Sequence, residues 1–176
     1  MMNILSVSTA ADDHWVRAGI IFYDKQRSSF IFGIDAKYNS ICDLGGHRIP
    51  HDIDVFNTAI REAYEESLGL LQVNRSELIG STALTLDDDV LFLITVDVPD
   101  PDHLLNEYTR LRDNAMTADG RSVSPHSIEL SALTIVPHKK LMKILRANYM
   151  KKDKEIIYDR TWKVLRAHLK LLQDLV

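Results

Sequence analysis

Apolar residues along the chain fall into short runs separated by turn residues, the spacing expected of strands. Val16 to Tyr23, Phe30 to Ile34 and Ser40 to Leu44 read as three strands, the last ending at Gly45-Gly46. A helix is predicted next, opened by Pro50 with Asp52 or Asp54 as N-cap and closed by Gly69. Two more strands, about Leu78 to Leu86 and Val90 to Val98, flank the acidic turn Asp87-Asp88-Asp89, and Pro99 and Pro101 end that hairpin. Asp102 to about Met116 then reads as helix, Asp119 to Pro125 as loop, and Ile128 to Val136 as a strand stopped by Pro137. Two helices, about 138–148 and 159–174, complete the order. Such an order predicts an α/β fold, a mixed sheet with helices on both faces and an additional C-terminal helical segment.

Length sharpens this to a single domain over residues 1–176, at roughly 100–200 residues per domain. Hydrophobic residues at 45% and charged residues at 26% are ordinary for a globular chain and exclude disordered and fibrous classes. The longest uninterrupted apolar run, Val90 to Ile94, is far shorter than the roughly 18 residues of a membrane helix, so no membrane partner is expected. Met1 to Trp15 carries no Lys or Arg and reaches Asp12-Asp13 early, unlike a secretory signal, and the expected location is cytoplasmic. Cys42 is the one cysteine; it excludes an internal disulfide and a cysteine-based zinc site, and core packing is its expected role.

Charge changes the picture more than composition does. Residues 1–137 hold 10 Lys/Arg against 21 Asp/Glu, a balance of −11, and residues 138–176 hold 11 against 4, a balance of +7. An acidic body suits metal ions and a basic tail suits a polyanion; equally, the two are solvated faces of opposite sign.

Within the acidic body, Val55, Phe56, Ala59, Ile60, Ala63 and Tyr64 fill one arc of the predicted helix, and Glu62, Glu65 and Glu66 an adjacent one. Like charges at such spacing repel by a few tenths of a kcal/mol per pair, so the cluster is unfavourable unless a cation neutralises it. Carboxylate oxygens are the ligands that Mg²⁺ and Mn²⁺ prefer, and these ions also bind substrate phosphates.

Arg61-Glu62-Ala63-Tyr64-Glu65-Glu66, preceded by Gly45-Gly46, resembles the core of the Nudix hydrolase signature, in which Gly, five residues, Glu and seven residues precede Arg-Glu-aliphatic-any-Glu-Glu-any-Gly-aliphatic. The resemblance implies a Nudix-like α/β/α sandwich over most of the chain. It implies hydrolysis of a phosphoanhydride in a diphosphate-linked substrate: a nucleoside diphosphate derivative, capped RNA or a diphosphoinositol polyphosphate. Mg²⁺ or Mn²⁺ would be the cofactor, with Glu62, Glu65 and Glu66 as ligands and Arg61 orienting them through charge-assisted hydrogen bonds. Arg61, Glu65 and Glu129 are the expected catalytic residues, Glu129 because it lies on the late strand, which resembles the one where many members place a further Glu. Gly45, Gly46 and Arg48 are expected to contact substrate.

The match departs from the family in three places. Gly46 to Arg61 is one residue too long, Leu68 intervenes before Gly69, and Ile53 occupies the place of the first Glu. Asp52 and Asp54 flank Ile53; one of them replaces the missing carboxylate, or both cap the helix. A Nudix-fold binding module with little catalysis is the rival reading, and an RNA-binding protein using the basic tail a third. Lys139, Lys140 and Lys143 with Lys151, Lys152 and Lys154 are the candidate phosphate contacts of that tail. His47, His51, His103 and His126 could reach a phosphate or a leaving group, and Trp15 and Tyr23 are either base-stacking or, more in keeping with their strands, core.

Overall fold

Arg17–Asp24 (β1) is buried along its whole length on both faces, as befits the strand about which the sheet is built. The computed structural model describes residues 14–117, 129–147 and 157–175. One edge of β1 runs parallel to Asp89–Val96 (β6), which is joined by a tight turn to the antiparallel Thr82–Leu86 (β5). The other edge is shared. Phe22 to Asp24 pair with Ser29–Asp35 (β2), whereas Arg17 to Ile20 pair with Leu44–His47 (β4). Beyond its paired end β2 leaves β1 and takes Ile41–Cys42 (β3) as partner at Gly33 and Ile34. Asp43, between β3 and β4, therefore stands where the chain passes from β2 to β1 and the sheet divides. Leu130–Pro137 (β7) covers the far edge of β2.

Alternation along β1 separates two cores. Ala18, Ile20 and Phe22 join Val55–Glu66 (α1), Arg75–Ile79 (α2) and Pro101–Thr117 (α3) through Ala59, Ala63, Leu78 and Tyr108. Ile21 and Tyr23 face the opposite layer of His138–Arg146 (α4), Asp159–Ala167 (α5) and Leu169–Gln173 (α6), through Leu141, Leu145, Val164, Leu165 and Leu172. This is the expected α/β/α sandwich. Among the described residues no helix is long and apolar enough to cross a membrane.

Several expected boundaries move, each for a local reason. Leu78 and Ile79 are helical, not strand, because Asn74 and Glu77 form a reciprocal capping box that starts α2. Gly45-Gly46 lies inside β4 instead of ending β3, since the break falls at Asp43. Glu129 precedes β7, and the last helical run divides at His168. Tyr64, expected on the apolar arc, is 55% exposed. Its ring lies over Gly69 at the turn made by Leu68 (φ +54°) and Gly69 (φ +78°), and the inserted Leu68 packs against the core. Cys42, Trp15 and Tyr23 are core residues. His126, Lys151, Lys152 and Lys154 lie outside the described residues.

Candidate active site

The two aspartates beside Ile53 take different positions. Asp54 is the N-cap of α1: in extended backbone (φ −152°) its side chain accepts the Asn57 N–H at 3.0 Å and pairs with Arg75. Asp52 is 6% exposed and faces Arg61, accepting Nε at 3.2 Å on Oδ1 and Nη2 at 3.0 Å on Oδ2. The Ile49 N–H at 3.0 Å and the Thr58 hydroxyl at 2.9 Å complete its shell, and Thr58 in turn accepts Trp15 Nε1–H at 3.1 Å. Burial works against the Asp52 carboxylate, but the bonds from Arg61, Ile49 and Thr58 outweigh it and hold the group below the usual aspartate value.

Arg61 spends its remaining donors on the loop and on two glutamates. Nη2 donates to the His47 carbonyl at 3.0 Å, and Nη1 reaches Glu62 Oε1 at 2.7 Å and Glu65 Oε2 at 3.1 Å. One guanidinium thus ties the entry loop to α1 and sets two carboxylates. Burial pushes the Glu62 carboxyl above its ordinary value, Arg61 partly opposing this.

Glu62 lies against Gly46 so closely that a Cβ there would fall within the carboxylate's van der Waals shell. Gly46→Ala is therefore expected to displace Glu62 and lower turnover roughly tenfold or more, with a stability loss of about 1–3 kcal/mol from overpacking. Steady-state kinetics and thermal melts of this one variant check it; wild-type kcat would show that Glu62 is not held for catalysis.

Glu66 is held differently. Its Oε2 is buried without a hydrogen-bond partner. Burial first, and then the charges of Asp43 and Glu62, push this carboxyl well above the ordinary glutamate range, with Arg17 acting the other way. Glu66 lines a cleft of about 120 Å³ with Glu129, Gly46, His47, Tyr38 and Tyr158.

The three glutamates do not meet at one point. Among the described residues no three His, Cys, Asp or Glu side chains stand close enough to hold an ion as placed. Glu65, 58% exposed at its side chain, turns to Arg61. Glu62 and Glu66 nevertheless fit a hard divalent cation: their charges oppose each other, their donors are carboxylate oxygens, and one of these is buried and unpartnered.

Of the other expected residues, Gly45 is buried, and its carbonyl accepts from Arg17 Nη2 at 2.8 Å. Arg48 is exposed, its guanidinium 4.0 Å above the Trp15 ring. Glu129 is exposed, its carbonyl accepts the Ala36 N–H at 2.9 Å, and its charge acts on Glu62. Asp87 (φ +51°) and Asp88 form the β5–β6 turn, and Asp89 pairs with Arg160 at 3.4 Å. His51 and His103 are exposed and away from this cleft's lining. Sequence reasoning missed Arg17, Asp43 and Tyr158. The available signal was a charge inside each of two apolar strand runs, since buried charges are rare without a partner.

No family model matches the chain, and no curated protein matches it. Among solved structures, the crystal structure of a C. elegans Ap4A hydrolase binary complex is similar, with a TM-score of 0.50 and 17% identity over 89% of this chain and 98% of that one. At such identity the likeness is one of architecture, and together with the mixed seven-stranded sheet between two helical layers it gives the chain a Nudix-like fold.

Proposed function

We propose that the protein is a divalent-cation-dependent hydrolase of Nudix type that cleaves a phosphoanhydride in a diphosphate-linked substrate. The observation that carries this reading is Arg61, held in bidentate fashion by buried Asp52 while it sets Glu62 and Glu65 beside a cleft into which Glu66 brings an unsatisfied charge. The architectural likeness to an Ap4A hydrolase supports it, and dinucleoside polyphosphates join nucleoside diphosphate derivatives, capped RNA and diphosphoinositol polyphosphates among the substrates to test.

Glu62 and Glu66 would hold Mg²⁺ or Mn²⁺, with Glu65 as the third carboxylate of the set. When bound, such a cation neutralises a diphosphate and lowers the pKa of an attacking water. Arg61 orients Glu62 and Glu65 and, through His47, the loop that faces substrate. Glu65, exposed and fixed at one oxygen by Arg61, and Glu129, on the cleft wall, are the carboxylates placed to take the proton of that water. Gly46 admits Glu62, and Arg48 presents a cation near the loop.

The rival, a binding module with little catalysis, is favoured by the separation of the three glutamates. Both are tested by product chromatography over that substrate panel with Mg²⁺, Mn²⁺ or chelator. Cation-dependent products from any member support the hydrolase; binding without products supports the module.

The basic tail bears on substrate size. Lys139, Lys140 and Lys143 are exposed on α4, in the helical layer on the opposite face of the sheet from α1. Serine at all three is expected to leave KM for a dinucleoside polyphosphate within about twofold, because Debye screening at ordinary salt extinguishes charge effects from the far layer. A salt-sensitive rise in KM for capped RNA alone would favour a long polyanion that wraps round to the tail.

A further inference from the structure

Two basic side chains, Arg17 and His47, share the cleft with Glu66. They are register partners on the antiparallel strands β1 and β4, so both leave the same face of the sheet side by side. Arg17 is 5% exposed. Its Nη2 is committed, 2.9 Å from Asp43 Oδ2 and donating to the Gly45 carbonyl at 2.8 Å, whereas Nη1 is buried without a hydrogen-bond partner. His47 is exposed, and its backbone is fixed twice, by the pairing with β1 and by Arg61 Nη2 on its carbonyl at 3.0 Å. Among the described residues its imidazole makes no hydrogen bond. A fixed backbone thus carries an uncommitted donor.

The acidic groups of the cleft are largely spoken for. Asp43 is engaged by Arg17 Nη2 and by the Thr161 hydroxyl from the first turn of α5. Asp35 Oδ1 accepts the N–H groups of Lys37 and Tyr38 at 2.9 and 2.6 Å. A buried donor without an acceptor is costly and rare, so the orphaned nitrogen of Arg17 beside a cleft marks a place for an acceptor that arrives from outside. A divalent cation on Glu62 and Glu66 is matched in charge by those two carboxylates, and the phosphoryl group next along a diphosphate then needs donors from the protein. Guanidinium and imidazole N–H groups suit phosphate oxygens.

We propose that His47, with the charge of Arg17 beside it, forms a subsite for this second phosphoryl group. The inference rests on the reading of Glu62 and Glu66 as cation ligands. The imidazole N–H donates to a non-bridging oxygen, and Arg17, locked by Asp43, supplies a fixed positive charge next to it. Neither residue makes or breaks a bond. His47 is in this way a determinant of substrate class, favouring two or more linked phosphoryl groups over a single one.

Isothermal titration calorimetry of the full chain with Mg²⁺ tests this by comparing methylenediphosphonate, which resists hydrolysis, with orthophosphate. In His47→Ala the diphosphonate is expected to bind roughly tenfold more weakly, and orthophosphate within about twofold of wild type because a single phosphoryl group stays on the cation. His47→Gln keeps an N–H donor and is expected to recover part of the loss, and His51→Ala, outside the cleft lining, to match wild type. Arg17 itself is left in place, since removing it strands the buried Asp43 carboxylate. Diphosphonate binding by His47→Ala at wild-type strength, or an equal loss for both ligands, overturns the subsite and leaves the cation reading standing. Wild-type diphosphonate binding that is absent, or the same in chelator as in Mg²⁺, overturns both.

Discussion

Replacing Glu66 with glutamine is expected to reduce turnover by two orders of magnitude or more while making the cation-free protein more stable. The catalytic loss follows from removing a charged ligand that no neighbour replaces. The gain follows from burial and from the charges of Asp43 and Glu62, which all oppose an ionised Glu66. Relief of this kind is on the order of 1 kcal/mol, or roughly 2–4 °C in Tm for a chain of this size.

The pH dependence has a definite sign. Below the ordinary glutamate value of 4.5 the group is protonated whether the chain is folded or not, and the variant gains nothing. Above it the unfolded chain ionises first, so wild-type stability falls as pH rises toward the elevated folded value, and the advantage of Glu66→Gln grows. Saturating Mn²⁺ reverses the order, since a ligand at a hundredfold its Kd stabilises the protein that binds it by about 2.7 kcal/mol. Melts at pH 4 and 7, with chelator and with Mn²⁺, check all of this in one series. A variant less stable than wild type in chelator at pH 7 would contradict the burial argument.

Asp52→Asn is expected to damage both fold and activity, and Asp54→Ala the fold alone. Asn at position 52 leaves Arg61, which is 22% exposed, without its buried counter-charge and breaks a shell that also ties down Ile49 and Thr58. Loss of one partner from such a pair is worth about 2–4 kcal/mol when the other retains some solvent and other carboxylates. Turnover should fall roughly 10- to 100-fold because Glu62 and Glu65 lose their common anchor. Asp54→Ala removes a cap and a surface ion pair, about 1 kcal/mol, with kcat unchanged. The Asp52 contribution is fully present above pH 3.8, its ordinary value, and fades as pH falls through the depressed folded value. The Asp52→Asn deficit should therefore narrow only in strong acid. Equal, modest stability losses with normal turnover in both variants would reduce Asp52 to a cap.

Which features could be read from the chain divides along the range of the forces that set them. Periodicity placed β1, β2 and α3 nearly to the residue and ran α1 and β6 past their ends, because apolar alternation is a local property. It misplaced Leu78 because Asn74 and Glu77 make a capping box that overrides an apolar pair. Within the site, Arg61 and the glutamates of α1 were legible from spacing. The choice between Asp52 and Asp54 was not, since it depends on which of two adjacent side chains the entry loop turns inward. Arg17 and Asp43 were opaque for a stronger reason: their partners Thr161 and Gly45 are brought to them by pairing between distant segments, to which no window of sequence is sensitive.

That pairing has a bearing on biosynthesis. Tyr158 donates its N–H to the Ile41 carbonyl at 2.7 Å, and Ile157 bridges Ile41, so an early strand awaits a partner from a segment far later in sequence. Ile21, Tyr23, Phe30 and Phe32 have their apolar cover in α4–α6, and a nascent chain halted short of residue 157 leaves much of that face bare on the ribosome. Contacts this long-range close slowly and late. The interval before residues 157–175 emerge is thus the period in which the chain most needs a holdase.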